Sequence, residues 1–234
     1  MIEGVITYVI IIFMPQSTYA LGRFFMRFMM RKVDSSKFNV AKFISVIGIM
    51  SALGFVLMLL EFPLPFIIPG FIKFDFSELP ALICSFAYGP LSGILVCLVK
   101  NVLHLPFTSS ACVGELSNFI LGAIFVGVAG LIYKRSKSRK TALIGTVVGA
   151  VTMTLISVVT NYFVVYPAFS VIYGLPMDLI IGMYKGILPT ADTLFKALVI
   201  FNLPFNFVKG MVDAGICFLV YKRLSPILKV KKSQ

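Results

Sequence analysis

From residue 43 to residue 221 the chain alternates long apolar stretches with short segments rich in proline, glycine or charge. A helix needs roughly 20 mostly apolar residues to cross the hydrocarbon of a bilayer, and about six stretches come near that length. The pattern predicts helices over 43–60, from 75–77 to 88, and over 91–105, 113–133, 141–165 and 197–221. The second is short and incomplete as a span. Asp75 and Ser77 offer oxygens to cap its free N–H groups, Glu78 suits the dipole of its first turn, and Gly89-Pro90 ends it. Between the first two helices, Pro63, Pro65 and Pro69 forbid regular helix in an unusually apolar connection. So hydrophobic a loop is expected to fold back over something, which makes 61–70 a candidate lid. Pro167, Pro176 and Pro189 mark a second irregular segment, 166–196, whose apolar stretch 177–188 reads as membrane-surface or re-entrant.

The first forty residues fit this pattern poorly. Residues 5–14 are apolar but too few to span, 15–18 break the run, and 21–30 mix aromatics, methionine and arginine. An interfacial helix and a start codon mis-assigned ahead of Met26, Met29 or Met30 both stay open. A signal peptide is disfavoured, because no basic region precedes the apolar run. The expected organisation is an extension over 1–41, a membrane domain over 42–224 and a basic tail over 225–234.

Composition agrees with a bilayer environment: 59% of residues are hydrophobic and 13% charged, with a mean hydropathy of +1.00. The net charge of +12 raises nucleic acid as a partner, but its distribution argues for membrane topology. Sixteen of the 21 basic residues fall into three clusters, over 23–42, 134–140 and 222–232. Lys and Arg beside spans stay cytoplasmic, so an even number of spans should separate each cluster from the next. The fold expected is therefore an all-α integral membrane protein, a six-transmembrane-helix bundle with N and C termini cytoplasmic. Cys84, Cys97, Cys112 and Cys217 show no metal-ligand or CxxC spacing and read as small apolar side chains.

Polar groups deep in lipid are costly and usually face a site or cavity. On the predicted topology most of them fall in the outer half. Lys100, Asn101 and His104 end the third helix, Glu115 and Asn118 begin the fourth, and Asn161 lies near the end of the fifth. Asn202, Asn206, Lys209 and Asp213 recur at helical spacing along one face of the sixth. Each has a structural alternative. Glu115 could serve only the helix dipole, Asn101 and Asn118 could join helices, Asp213 could pair with Lys209 one turn away, and His104 stands alone. Their clustering at one depth beneath the proline-rich loop points instead to a pocket open to the outside.

No phosphate loop, zincin motif or nucleophile elbow occurs. An enzyme is therefore not expected, no cofactor or metal is called for, and active transport would need a separate motor. A small proton-coupled carrier using Glu115, Lys100 and Asp213 is the alternative from another class.

Five segments taken in order resemble a known family: Glu61-Phe-Pro-Leu-Pro-Phe66, Phe71-Ile-Lys-Phe-Asp-Phe-Ser-Glu-Leu-Pro-Ala81, Gly89-Pro90, Lys100-Asn-Val-Leu-His104 and Val113-Gly-Glu-Leu-Ser-Asn-Phe119. Over about 42–223 the chain is similar to the riboflavin-binding S components of energy-coupling factor (ECF) transporters. The resemblance implies a multi-pass protein of a bacterial cell membrane that captures riboflavin, or FMN, at its outer face. It also implies partners, a transmembrane coupling protein and two ABC-type ATPases. Another vitamin or precursor is the nearest alternative ligand. By the same resemblance Asn206, Lys209 and Asn161 would hydrogen-bond the flavin; Glu115 and Asn118, from the polar cluster at the same depth, are expected to join them as binding residues. Phe62, Leu64 and Phe66 would pack on it from the first outer loop. Gly48 and Ala52 would form the small-residue contact with the coupling protein, although this chain has Gly where the family has its first Ala.

Overall fold

The computed structural model describes residues 40–108, 110–174 and 176–228. The expectations for the N-terminal extension up to residue 39 and for the tail after residue 228 lie outside the described residues. The chain divides into two units, Met1–Ile44 and Ser45–Gln234. Of the first, only the opening residues of one helix are described; the core and the cavity belong to the second.

The described elements run α1 (Val40–Leu59), β1 (Phe62–Pro63), β2 (Lys73–Phe74), α2 (Glu78–Tyr88), α3 (Pro90–His104), α4 (Val113–Arg135), α5 (Arg139–Thr160), α6 (Tyr166–Tyr173), α7 (Met177–Ile187), α8 (Leu194–Ala197) and α9 (Leu203–Leu228). A 3₁₀ turn, Leu105–Phe107, follows α3. Among the described residues five helical stretches are long and apolar enough to cross a membrane: Val40–Leu59, Pro90–Phe107, Val113–Arg135, Arg139–Ile172 and Leu194–Leu219. The α2 helix, with 11 residues, is apolar but shorter. The predicted starts of the long helices are thus recovered to within a few residues.

Helix α5 departs furthest from expectation. It continues without a break through a π-helical turn, Asn161–Val165, into α6, so Pro167 does not end it. A proline inside a helix lacks an N–H, and its ring collides with the carbonyl four residues back. Widening the preceding turn relieves that collision. The N–H of Tyr166, just before Pro167, closes the wide turn on the Asn161 carbonyl. The same device recurs at Leu198–Asn202, where Leu203, just before Pro204, donates to the Leu198 carbonyl. Leu194–Ala197, the π turn and α9 therefore form one run, which begins earlier than the sequence pattern suggests.

Helices α2 to α5 and α9 share one apolar core around Leu82, Val96, Phe125 and Val126, with Ala150 and Met153 on α5 and Cys217 on α9. Glycines let their backbones approach closely. A Cβ at Gly93 of α3 would lie 2.7 Å from the Ala81 carbonyl of α2, and one at Gly149 of α5 would lie 2.7 Å from the Phe125 carbonyl of α4. A second apolar cluster gathers Ile68 and Phe74 of the first loop with Tyr166, Ile180, Tyr184, Leu198 and Phe205. Here the apolar loop does fold back. Its strands pair antiparallel, Phe62 opposite Phe74 and Pro63 opposite Lys73, Lys73 bonds Glu61, and Ile68 is fully buried.

Candidate functional site

Three carboxylates converge where the loop meets α2 and α9, and the sequence explains how they get there. Asp75 ends the loop, two residues before the N-cap Ser77 of α2; its Oδ1 accepts the Ser77 N–H at 2.8 Å. The capping of helical N–H groups expected of Asp75 and Ser77 does not form, as the N-cap Ser77 makes no side-chain cap bond; the other oxygen of Asp75 is used elsewhere: Lys209 Nζ donates to Asp75 Oδ2 at 2.9 Å and lies 3.3 Å from Glu78 Oε2. Lys100, fully buried on α3, takes Glu78 Oε1 at 2.8 Å and also bonds Ser77 Oγ. Burial works against ionised Asp75, but Lys209 and Lys100, with hydrogen bonds from Lys209 and Ser77, outweigh it and hold the carboxyl well below the usual carboxylate range. The local pairing of Lys209 with Asp213 weighed from the sequence does not form, because Lys209 is engaged by Asp75 and Glu78.

A cavity of about 160 Å³ opens beside this cluster. One water needs on the order of 10–15 Å³ of such room, so the chamber suits a solute of a few fused rings rather than a single ion. Of the residues anticipated, Asn161, Glu115, Asn118, Asn206 and Lys209 all line it, together with His104, Asn202 and Asp213. Both π turns contribute: Asn161 opens the first and Asn202 closes the second. Widened helical turns of this kind frequently lie at functional sites.

Several expectations distribute differently. Lys100 and Asn101 lie outside the lining. Lys100 is committed to Glu78, while Asn101 donates to the Cys97 carbonyl at 2.8 Å and to Asn118 Oδ1 at 3.3 Å, the interhelical role weighed for it. Phe62, Leu64 and Phe66 are also outside the lining; Phe62 and Phe66 are exposed, and Leu64 packs on the second apolar cluster. The loop reaches the cavity through Phe71, Ile72 and Lys73 instead, with Met58, Leu121, Phe125 and Phe169 adding apolar wall. Glu115 does more than serve a helix dipole: it meets His104 Nδ1 at 2.9 Å and accepts from Thr108 at 2.8 Å and Ser110 at 3.0 Å.

Two features were not anticipated. The first is the role of Asp75 and Glu78 as partners of Lys209, whose sequence separation no local rule spans. The second is a buried network in which Tyr184 donates to Asn202 Oδ1 at 2.7 Å and meets Tyr166, while Asn202 Nδ2 donates to Tyr166 at 3.3 Å. It ties α7 to the wall of the cavity. Among the described residues no group of three or more His, Cys, Asp or Glu is placed to hold a metal ion.

A lining that combines hydrogen-bond donors and acceptors with apolar and aromatic side chains makes a chamber for a planar, partly polar organic solute. The chain matches a family model described as "ECF transporter, substrate-specific component" over residues 42–221. It is 36% identical over 183 residues to the riboflavin transporter RibU of Staphylococcus aureus (strain TCH60), a match covering 78% of this chain and 90% of that one. It is 33% identical over 192 residues to the riboflavin transporter FmnP of Bacillus subtilis (strain 168), covering 80% and 94% respectively. A solved structure described as the S component of a bacterial ECF transporter superposes with a TM-score of 0.65 at 34% identity, covering 82% of this chain and all of that one.

Proposed function

The chain belongs to the family of ECF transporter substrate-specific components, and on that premise we propose that its cavity captures riboflavin, or FMN, from outside the cell for ATP-driven uptake. The observation that carries this reading is the joint presence on the cavity wall of Asn161, Asn206 and Lys209. Isoalloxazine is a broad apolar plane with a polar pyrimidine edge. It calls for apolar walls and a few directed donors and acceptors, which Asn and Lys supply. Glu115 and Asn118 complete the polar side. Phe62, Leu64 and Phe66 are assigned to the lid, whose packing against the ring would remove it from water.

The protein is a multi-pass protein of the bacterial cell membrane. We assign six membrane segments to it, counting α2 with the five long helices, and place both ends in the cytoplasm with the basic clusters. Residues 42–224 form the membrane domain, with 1–41 an extension and 225–234 a basic tail. A coupling protein and two ATPases supply the motor. Gly48 and Ala52, both exposed on α1 and one helical turn apart, form the docking face.

Purified protein should carry or take up a flavin, seen as visible absorbance and as quenching of riboflavin fluorescence. Asn206→Ala and Lys209→Ala should each weaken binding on the order of tenfold or more, the loss of a hydrogen bond to a polar or charged group. Wild-type protein that leaves flavin fluorescence unchanged at micromolar concentrations would rule the reading out.

A further inference from the structure

Asp213 is the one member of the buried ionic cluster left without a partner among the described residues. It is 1% exposed, neither carboxylate oxygen has a hydrogen-bond partner, and it lines the cavity. The two ammonium groups that would answer it are taken: Lys100 by Glu78 and Ser77, Lys209 by Asp75 and Glu78. Three carboxylates therefore share two lysines. A buried carboxylate without a hydrogen bond is costly, and such a group on a cavity wall is built to receive a donor from whatever fills the cavity.

Its position says where that donor comes from. Asp213 lies one helical turn beyond Lys209 and two beyond Asn206 on the same face of α9. Gly210, between Lys209 and Asp213, lets α9 lie close to α5; a Cβ there would lie 3.1 Å from the Ala150 side chain. A solute held at its polar edge by Asn206 and Lys209 thus brings its next polar group to Asp213.

We propose that Asp213 is a specificity-determining residue that accepts a hydrogen bond from an N–H or O–H of the bound solute. Resting on the riboflavin reading, the assignment has two sources for that donor, the imide N–H of the ring and a hydroxyl of the ribityl chain. Acceptance by a buried carboxyl oxygen discriminates between solutes, because an analogue lacking the donor leaves that oxygen without a partner.

The test is fluorescence titration of wild type and Asp213→Ala with riboflavin, with its N3-methyl derivative and with lumiflavin, which has no ribityl chain. For wild type, the analogue lacking the relevant donor should bind at least tenfold more weakly than riboflavin. In Asp213→Ala, riboflavin binding should weaken and that analogue's ratio to riboflavin should fall toward one, while the other ratio stays as in wild type. Collapse for the N3-methyl compound identifies the imide as donor, and collapse for lumiflavin identifies the ribityl chain. Should the alanine variant not fold, Asp213→Leu, similar in shape but without an acceptor, should reduce the same ratio. Wild-type ratios retained for both analogues in the folded variant overturn the role of Asp213 alone. Wild type that binds no flavin overturns the riboflavin reading and this assignment with it.

Discussion

Lys100 and Lys209 neutralise the same acidic cluster but answer to different demands. Lys100 is fully buried, outside the cavity lining, and holds α3 to the start of α2 through Glu78 and Ser77. Removing one partner of a buried pair strands the other, at a cost of about 3–5 kcal/mol. Lys100→Met should therefore lower the unfolding temperature in detergent markedly. Lys196→Met, whose partner Asp192 is half-exposed and one turn away, should leave it unchanged. Asp75 gives the cluster a defined pH response. Burial opposes its charge, but Lys209 and Lys100 prevail and its carboxyl titrates below the ordinary range. A carboxylate lowered on folding contributes stability that is complete above its unfolded value of about 4 and is lost only as pH falls through the folded value. The gap in melting temperature between wild type and Asp75→Asn should thus be constant from about pH 5 to pH 8 and narrow only below about pH 4. A gap that changes near neutrality would assign the stabilisation to some other group.

At the level of elements, the two prolines that close the π turns position cavity residues from outside the cavity. Neither Pro167 nor Pro204 lines the chamber, yet each follows a π turn that starts or ends in a cavity asparagine. Pro204→Ala restores an N–H and removes the ring, which lets the turn relax toward ordinary α-helix and rotates Asn202 relative to Asn206. Helix stability should rise or hold, since a proline is replaced by the best helix former. Flavin affinity should fall by about tenfold, roughly one misplaced hydrogen bond; unchanged affinity would show that the turn does not position the site. These same prolines limited what the sequence could tell. The hydrophobic periodicity located the long helices well, because bilayer thickness imposes their length. Pro167 read as a terminus because the widened turn that tolerates it has no hydrophobic signature. At the site, the shared face of Asn202, Asn206, Lys209 and Asp213 was legible from helical spacing alone. The partners of Lys209 were not: Asp75 is 134 residues away, and local spacing pointed to Asp213, the one acid Lys209 leaves unpaired.

For the whole molecule, the two apolar clusters divide the work. The core of α2 to α5 and α9 rests on close glycine contacts that tolerate little adjustment, whereas the second cluster holds the loop, α7 and the π turn of Leu198–Asn202 together. Tyr184 and Tyr166 join that second cluster to Asn202 on the cavity wall, so movement of the loop and α7 is mechanically linked to the site. Helix α1 belongs fully to neither. Only Ser51, Gly54 and Met58 are buried on it, and the face bearing Gly48 and Ala52 is open to a partner. On the proposed reading, a substrate-specific component of an ECF transporter captures the solute while partner subunits supply the energy. The chain alone in proteoliposomes should bind flavin on addition but not accumulate it against a gradient. Adding a coupling protein, its ATPases and ATP should start accumulation. Gly48→Leu should leave the flavin titration unchanged and abolish that stimulated uptake, because a bulky side chain on the open face blocks close helix approach without reaching the cavity. Accumulation by the chain alone, driven by a proton gradient and indifferent to ATP, would instead make it a secondary carrier.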